Sequence, residues 1–245
     1  MEISAIIQAR VASTRLYNKI FAPLSGKPLI WHVVNRLGWS KTITRTIVAT
    51  TTNPVDDALE KWCRESSVDF FRGSEEDVLS RYYGAAKKTG ADVIVRITSD
   101  DPFKDPQIID AVVDMFKKNR LDFAYNNKPP TFPEGLDVEV FSMAALEKAH
   151  AETRDIFERE HVTQYFYRNS SMFRQMNLAN KTDLSHLRWT IDTAKDLGMA
   201  RAVYDKLYKE GGIFLMDDVL KLIERYPEIA AINMDVKRSA MYVKK

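Results

Sequence analysis

Early in the chain the residues run Gln8-Ala9-Arg10-Val11-Ala12-Ser13-Thr14-Arg15-Leu16-Tyr17-Asn18-Lys19. Two arginines, a lysine and two hydroxyls in one short polar stretch can offer guanidinium forks, O–H groups and backbone N–H groups to phosphate oxygens. The surrounding charge pattern points the same way. After Glu2 the next acidic residue is Asp56, and Arg10, Arg15, Lys19, Lys27, Arg36, Lys41 and Arg45 lie between them. A nucleoside triphosphate fits so local a cationic patch, whereas a nucleic-acid surface needs basic residues spread over more of the chain. Chance together with solvated helix faces is the plainer alternative.

Two carboxylates could complement that stretch. Asp100 follows an apolar run over 92–98, and Asp192 follows another over 187–191. If both runs are parallel strands of one sheet, the two side chains converge at its carboxyl edge. Mg²⁺ takes one or two carboxylates together with phosphate oxygens and water, and this pair supplies that number. The alternative is that each Asp caps the helix that follows it.

The elements that must position these groups alternate regularly. Short apolar or β-branched runs over 3–9, 43–51, 68–71, 92–98 and 121–125 predict strands. Between them, helical patterns follow Pro28, Asn53-Pro54, Ser74 and Pro106, with Ser74 expected to cap a helix over 75–89. This rhythm predicts an α/β fold: a doubly wound, mostly parallel sheet with helices on both faces and ligands at the strands' carboxyl ends. After Asn126 the rhythm changes. A strand over 136–141, helices over 142–151 and 156–168 and a strand over 172–178 suggest an α+β elaboration, residues 131–183, reaching out of the sheet. The run over 187–191 reads as a buried strand, and helices over 194–209 and 217–225 close a single domain, 1–245.

Composition narrows the function. The chain has 245 residues, 45% hydrophobic and 29% charged, which excludes a disordered or collagenous scaffold. Its 36 basic and 34 acidic residues leave a net charge of +2, so no global field suggests nucleic acid or a membrane surface as partner. The single Cys63 excludes an internal disulfide and fits a reducing cytoplasmic setting. No apolar run approaches the roughly 18 residues of a membrane span, and the N-terminus lacks a signal peptide's basic region. The loops and elbows of P-loop kinases, dinucleotide dehydrogenases and α/β-hydrolases are missing, as is a His-Glu-x-x-His zinc pair. His161, in Glu158-Arg159-Glu160-His161, reads first as a helix-packing residue and second as a substrate contact.

The stretch 6–19 resembles the Ala-Arg-x-x-Ser-Thr-Arg-Leu-Pro-Gly-Lys signature of the cytidylyltransferases that activate sugar acids. With Ile6-Ile7-Gln8-Ala9-Arg10 it is most similar to the spore-coat polysaccharide biosynthesis protein F family. Further matches are Ala49-Thr50-Thr51-Thr52-Asn53-Pro54, Gly73-Ser74-Glu75-Glu76-Asp77-Val78-Leu79-Ser80-Arg81-Tyr82, Arg96-Ile97-Thr98-Ser99-Asp100-Asp101-Pro102, Gly135-Leu136-Asp137-Val138-Glu139-Val140-Phe141, Arg159-Glu160-His161-Val162-Thr163 and Arg188-Trp189-Thr190-Ile191-Asp192-Thr193. Two positions depart from the pattern. Tyr17-Asn18 replaces Pro-Gly, where Asn tolerates a positive φ better than most residues, and Asp101 replaces a Cys.

The resemblance implies a Rossmann-like nucleotidyltransferase fold and Mg²⁺-dependent transfer of CMP from CTP to a sugar-acid, phosphate or phosphonate acceptor. Arg10, Arg15, Lys19 and Asp100 would carry the chemistry. Gln8, Ala9, Ser13, Thr50, Thr51, Arg72 and Ser74 would join the cations in holding the nucleotide, and Asp100 and Asp192 would hold the metal. Asp137, Glu139 and His161 would meet the acceptor; Asp137 and Glu139 share one face of a strand, which could equally be a solvated face. A homodimer is expected through the elaboration, whose Phe157, Tyr165, Phe166, Tyr167, Met172, Phe173 and Met176 are of types enriched in interface cores. Packing of these residues onto the sheet is the alternative. Two rival functions stay open: a nucleotide-sugar-dependent glycosyltransferase, although Asp100-Asp101 lacks an Asp-x-Asp spacing, and a catalytically silent nucleotide-binding protein.

Overall fold

In the computed structural model, which describes residues 1–12 and 16–237, the first apolar run forms strand β1 (Ile3–Gln8) in the middle of a sheet. Alternation along the strand divides its side chains between two cores. Ile3, Ala5 and Ile7 enter one, and Ile6 enters the other. Burial on both faces explains why the run is apolar throughout.

The chain continues through a small hairpin, β2 (Pro23–Leu24) and β3 (Lys27–Pro28), into α1 (Leu29–Leu37), β4 (Arg45–Thr51), α2 (Asp57–Glu65), β5 (Asp69–Gly73) and α3 (Val78–Thr89). Next come β6 (Val93–Thr98), α4 (Pro106–Lys118), β7 (Phe123–Tyr125), β8 (Glu139–Ser142), α5 (Met143–Glu152), α6 (Ile156–His161), α7 (Gln164–Arg168) and β9 (Gln175–Asn177). The helices α8 (Ala194–Leu207), α9 (Met216–Arg225) and α10 (Pro227–Ala231) follow. The sheet order is β5-β4-β1-β6-β8-β7-β9. The strands β5, β4, β1 and β6 are mutually parallel, and β8 pairs antiparallel with both β6 and β7. The fold is therefore the mostly parallel, doubly wound sheet that the α/β alternation predicts. Among the described residues no helix is long and apolar enough to cross a membrane.

Several expectations are corrected. The segment 131–183 does not simply project, because β8 and β9 return to the main sheet. The helix expected over 156–168 breaks into α6 and α7 at Val162, a buried residue with φ 47°. The strand expected over 172–178 shortens to β9. Ser74 does not cap α3, although its hydroxyl accepts from the Asp77 N–H at 3.1 Å; Asp77 is the cap, accepting from the Ser80 N–H at 2.9 Å. Of the large apolar residues considered for an interface, Tyr165, Phe166 and Phe173 pack into the second core and Tyr167 lies partly buried against it, whereas Phe157, Met172 and Met176 stay exposed.

The run 187–191 is not a strand of the sheet. It is apolar because Trp189 and Ile191 are buried, but its backbone bonds go to loops. The Glu134 N–H donates to the Leu187 carbonyl at 2.9 Å, the Trp189 N–H to the Glu134 carbonyl at 2.7 Å and the Ile191 N–H to the Asp100 carbonyl at 2.9 Å. Gly135 makes this close approach feasible. Its φ is 105°, and a Cβ there would stand 2.7 Å from the Thr190 nitrogen. Gly135→Ala is therefore expected to destabilise the fold by more than about 1 kcal/mol. A thermal melt indistinguishable from wild type would show that the two loops yield without cost.

Candidate active site

β1 has β4 on one side and β6 on the other, so the chain order reverses at β1 and opens a crevice beyond its carboxyl end. The loops there are stitched together: the Ala9 N–H donates to the Ala49 carbonyl at 3.1 Å and the Ser99 N–H to the Gln8 carbonyl at 3.2 Å. The result is a cleft of about 1110 Å³. Gln8, Ala9, Arg10, Lys19, Ser74, Asp100 and His161 line it, as the sequence anticipates. Ser13 and Arg15 lie outside the described residues.

Lys19 is held by three acceptors. Asn18 turns the chain with φ 55° and ψ 27°, the left-handed conformation that Gly would otherwise supply. Lys19 then opens a 3-10 turn and points inward, 9% exposed. Its ammonium donates to Asp100 Oδ2 at 2.8 Å, Asp192 Oδ1 at 2.9 Å and the Ile191 carbonyl at 2.9 Å. Asp100 and Asp192 thus converge on one point. They do so because the Ile191 N–H bonds to the loop after β6, and not because two neighbouring strands deliver them.

Asp192 is held from behind. Its other oxygen accepts from Arg188 Nη2 at 2.9 Å, and Arg188 also ion-pairs with Asp196 and Glu134, each at 2.9 Å. The cap of α8 is Thr193, in a capping box with Asp196. Capping therefore does not explain Asp192. Asp101 faces away from the cleft, buried against Lys104 at 2.9 Å and the Thr98 hydroxyl at 2.6 Å.

Electrostatics tie the Lys19 pair to pH. Burial favours neutral lysine, but Asp100 and Asp192 outweigh it and raise the ammonium's pKa above 10.5. Burial likewise opposes the Asp100 carboxylate, and Lys19 nonetheless holds its pKa below 3.8. The pair therefore contributes its full stability between pH 3.8 and 10.5. That contribution is lost as pH falls through the depressed Asp100 value or rises through the elevated Lys19 value. Denaturant melts of wild type and Asp100→Asn should accordingly differ most near neutrality and converge in strong acid. A constant difference at every pH would contradict this linkage.

Beside Arg10, Glu75 accepts from Arg10 Nη1 at 3.2 Å and from Asn53 Nδ2 at 3.1 Å. Thr50 and Thr51 do not reach the cleft. Both are fully buried, and the Thr51 hydroxyl bonds to Asp56; Thr52 lines the cleft instead. Arg72 is also diverted. Its guanidinium binds the Thr51 and Asn53 carbonyls at 2.7 and 2.9 Å and pairs with Asp57 and Glu60, both at 2.7 Å. It buttresses the loop after β4 and does not line the cleft.

On the other flank, Ile156, Glu160 and His161 form the wall. Burial, with a contribution from Arg96, lowers the His161 pKa below 6.5 although Glu160 opposes this, so the imidazole is neutral at pH 7. Glu139 is 4% exposed, pairing with Arg96 at 2.5 Å and accepting from the Tyr167 hydroxyl at 2.9 Å. Arg96 in turn donates to Gln8 Oε1 at 3.1 Å. Glu139 therefore acts on the cleft through Arg96 and Gln8. Asp137 precedes β8 and is outside the lining; its carbonyl accepts from Lys104.

Sequence reasoning missed Thr52, Glu75, Arg81, Arg96 and Arg188. Arg188, Asp192 and Asp196 do carry a signal, opposite charges at repeated four-residue spacing. Arg81 carries another, a cation within the apolar stripe of Val78, Tyr82 and Ala85.

A cationic and acidic cleft over the carboxyl edge of a mostly parallel sheet defines an α/β protein built to handle nucleotides. The chain belongs to the cytidylyltransferase family, whose model matches residues 4–228. It is 30% identical to the spore coat polysaccharide biosynthesis protein SpsF of Bacillus subtilis, over 94% of this chain and 97% of that one. It is 31% identical to the 3-deoxy-manno-octulosonate cytidylyltransferase of Geobacter sulfurreducens, over 49% of this chain and 47% of that one. A solved cytidylyltransferase from Leptospira borgpetersenii superimposes with a TM-score of 0.89 at 35% identity, covering 94% of this chain and 97% of the other.

Proposed function

We propose that this nucleotidyltransferase moves CMP from CTP to a small anionic acceptor, a sugar acid, phosphate or phosphonate, and releases pyrophosphate. The observation that carries the reading is the convergence of Asp100 and Asp192 on Lys19, with Lys19 and Asp100 lining the cleft and Asp192 buried behind them. An acceptor oxygen attacks the α-phosphorus, the bond from that phosphorus to the bridging oxygen breaks, and pyrophosphate leaves with the electron pair. Arg10, Arg15 and Lys19 offset the negative charge of the triphosphate and of the leaving group, so the protein acts mainly by positioning and electrostatics. Where the acceptor is a hydroxyl, neutral His161 can take its proton.

The donor set suits Mg²⁺. Two carboxylates already bracket one cationic point, the number that Mg²⁺ takes beside phosphate oxygens and water. Asp100 and Asp192 would hold the ion, which supplies Lewis-acid stabilisation of charge at the α-phosphorus. Similarity to the Geobacter enzyme supports a sugar acid as acceptor.

The reading is tested by a pyrophosphatase-coupled phosphate assay over a panel of nucleoside triphosphates and acceptors. Release that requires both CTP and an acceptor is the expected result. Sugar transfer from a nucleotide-sugar without pyrophosphate would make the chain a glycosyltransferase, and no product of either kind would make it a binding protein. The chain is also proposed to pair as a homodimer through 131–183, where Phe157, Met172 and Met176 are exposed. Light scattering should give twice the 28.2 kDa chain mass; the monomer mass alone would reject pairing.

A further inference from the structure

Arg81 sits in the first turn of α3 and is 3% exposed, yet it lines the cleft. Its Nε and Nη1 have no hydrogen-bond partner among the described residues. Such a placement is unfavourable three times over. Burial desolvates the cation, a helix N-terminus repels it, and the donors lack acceptors. The nearby carboxylates are already engaged. Glu75 receives Arg10 and Asn53, and Asp56 receives the Val11 N–H at 2.6 Å and the Thr51 hydroxyl. The stem is nevertheless fixed, because it lies over Gly73, where a Cβ would stand 2.8 Å from Arg81 Cγ. A buried donor held in place without an acceptor points to an acceptor that arrives with a ligand.

Position distinguishes which part of the ligand it meets. Lys19, Asp100 and Asp192 mark the phosphate end of the site. Glu75 acts on Arg81 and, with Glu76, lines the same cleft, offering carboxylates that accept from amines and hydroxyls. Guanidinium donors beside carboxylate acceptors complement cytosine, which presents O2 and N3 as acceptors and its N4 amine as donor. Uracil reverses two of these, with an N–H at N3 and a carbonyl at C4.

We infer that Arg81 reads the acceptor edge of the pyrimidine and selects CTP over UTP. This rests on the cytidylyl-transfer reading above. A site built to hydrogen-bond one partner rejects an analogue that leaves its donors unpaired.

The test is calorimetric titration of CTP, UTP and inorganic triphosphate into wild type, Arg81→Met and Arg81→Lys, with a thermal melt of each. Arg81→Met keeps the aliphatic stem and removes the unpaired cation. It is expected to melt no lower than wild type, to bind CTP about 10- to 100-fold more weakly, to lose the preference for CTP over UTP, and to bind triphosphate unchanged. Arg81→Lys keeps the charge without the planar fork and should also lose the preference, which covers a failure of Arg81→Met to fold. Unaltered CTP affinity, or an equal weakening of triphosphate, would overturn the inference, the latter making Arg81 a phosphate ligand. Wild type that binds UTP as well as CTP would overturn it too. Wild type that binds no nucleotide would instead sink the cytidylyl-transfer reading, and this inference with it.

Discussion

Asp100→Asn and Asp192→Asn should each lower kcat on the order of 100- to 1000-fold and raise the Mg²⁺ concentration needed for half-maximal rate. Asn is nearly the same size and can still accept a hydrogen bond from Lys19, but it lacks the negative charge that a divalent cation requires. The shift in Mg²⁺ requirement separates this account from a purely structural one. A capping role predicts near silence, because Asn caps as well as Asp, and α8 is capped by Thr193 in any case. Wild-type rate and Mg²⁺ dependence in both variants would remove the pair from the reaction.

Lys19→Met should cut turnover by a similar factor, since it deletes a buried cation that bridges both carboxylates. It should also destabilise the fold. Asp100 would lose its cation and Asp192 would keep only Arg188, and breaking a buried pair in this way costs about 3–5 kcal/mol. Added Mg²⁺ should recover part of the lost Tm in this variant by supplying the missing counter-charge. Lys19→Arg should not restore activity, because a planar fork cannot replace a compact ammonium meeting three acceptors at one point. A Lys19→Met protein with wild-type Tm and turnover would show that Lys19 serves neither role.

The parts of the molecule that sequence made legible are those governed by local chemistry. β1, β4 and β6 are buried on both faces, so their composition identifies them, and the polar loop after β1 stands out against it. Asn18 announced a left-handed turn by its type. Asp100 was placed by the strand before it. Asp192 reached the same point by another route, since the apolar character of 187–191 reports burial of Trp189 and Ile191 and says nothing about which backbone they pair with. Thr50, Thr51 and Arg72 failed as cleft residues for a related reason. A polar residue at a strand end can serve a ligand or the neighbouring loop, and here Asp56, Asp57 and Glu60 claim Thr51 and Arg72. The break at Val162 gives no sequence signal, because a β-branched residue is a poor candidate for positive φ. Arg81 was legible only as a cation on an apolar stripe, and its missing partners became visible once the cleft was built around it.

The most direct measurement is mass spectrometry of a reaction containing the protein, Mg²⁺, CTP and a panel of sugar acids, phosphates and phosphonates. The account predicts a new ion equal in mass to one acceptor joined to CMP with loss of water, formed with one pyrophosphate per conjugate and absent with Asp100→Asn. CTP left intact beside every acceptor, or a conjugate formed equally well by Asp100→Asn, would contradict it.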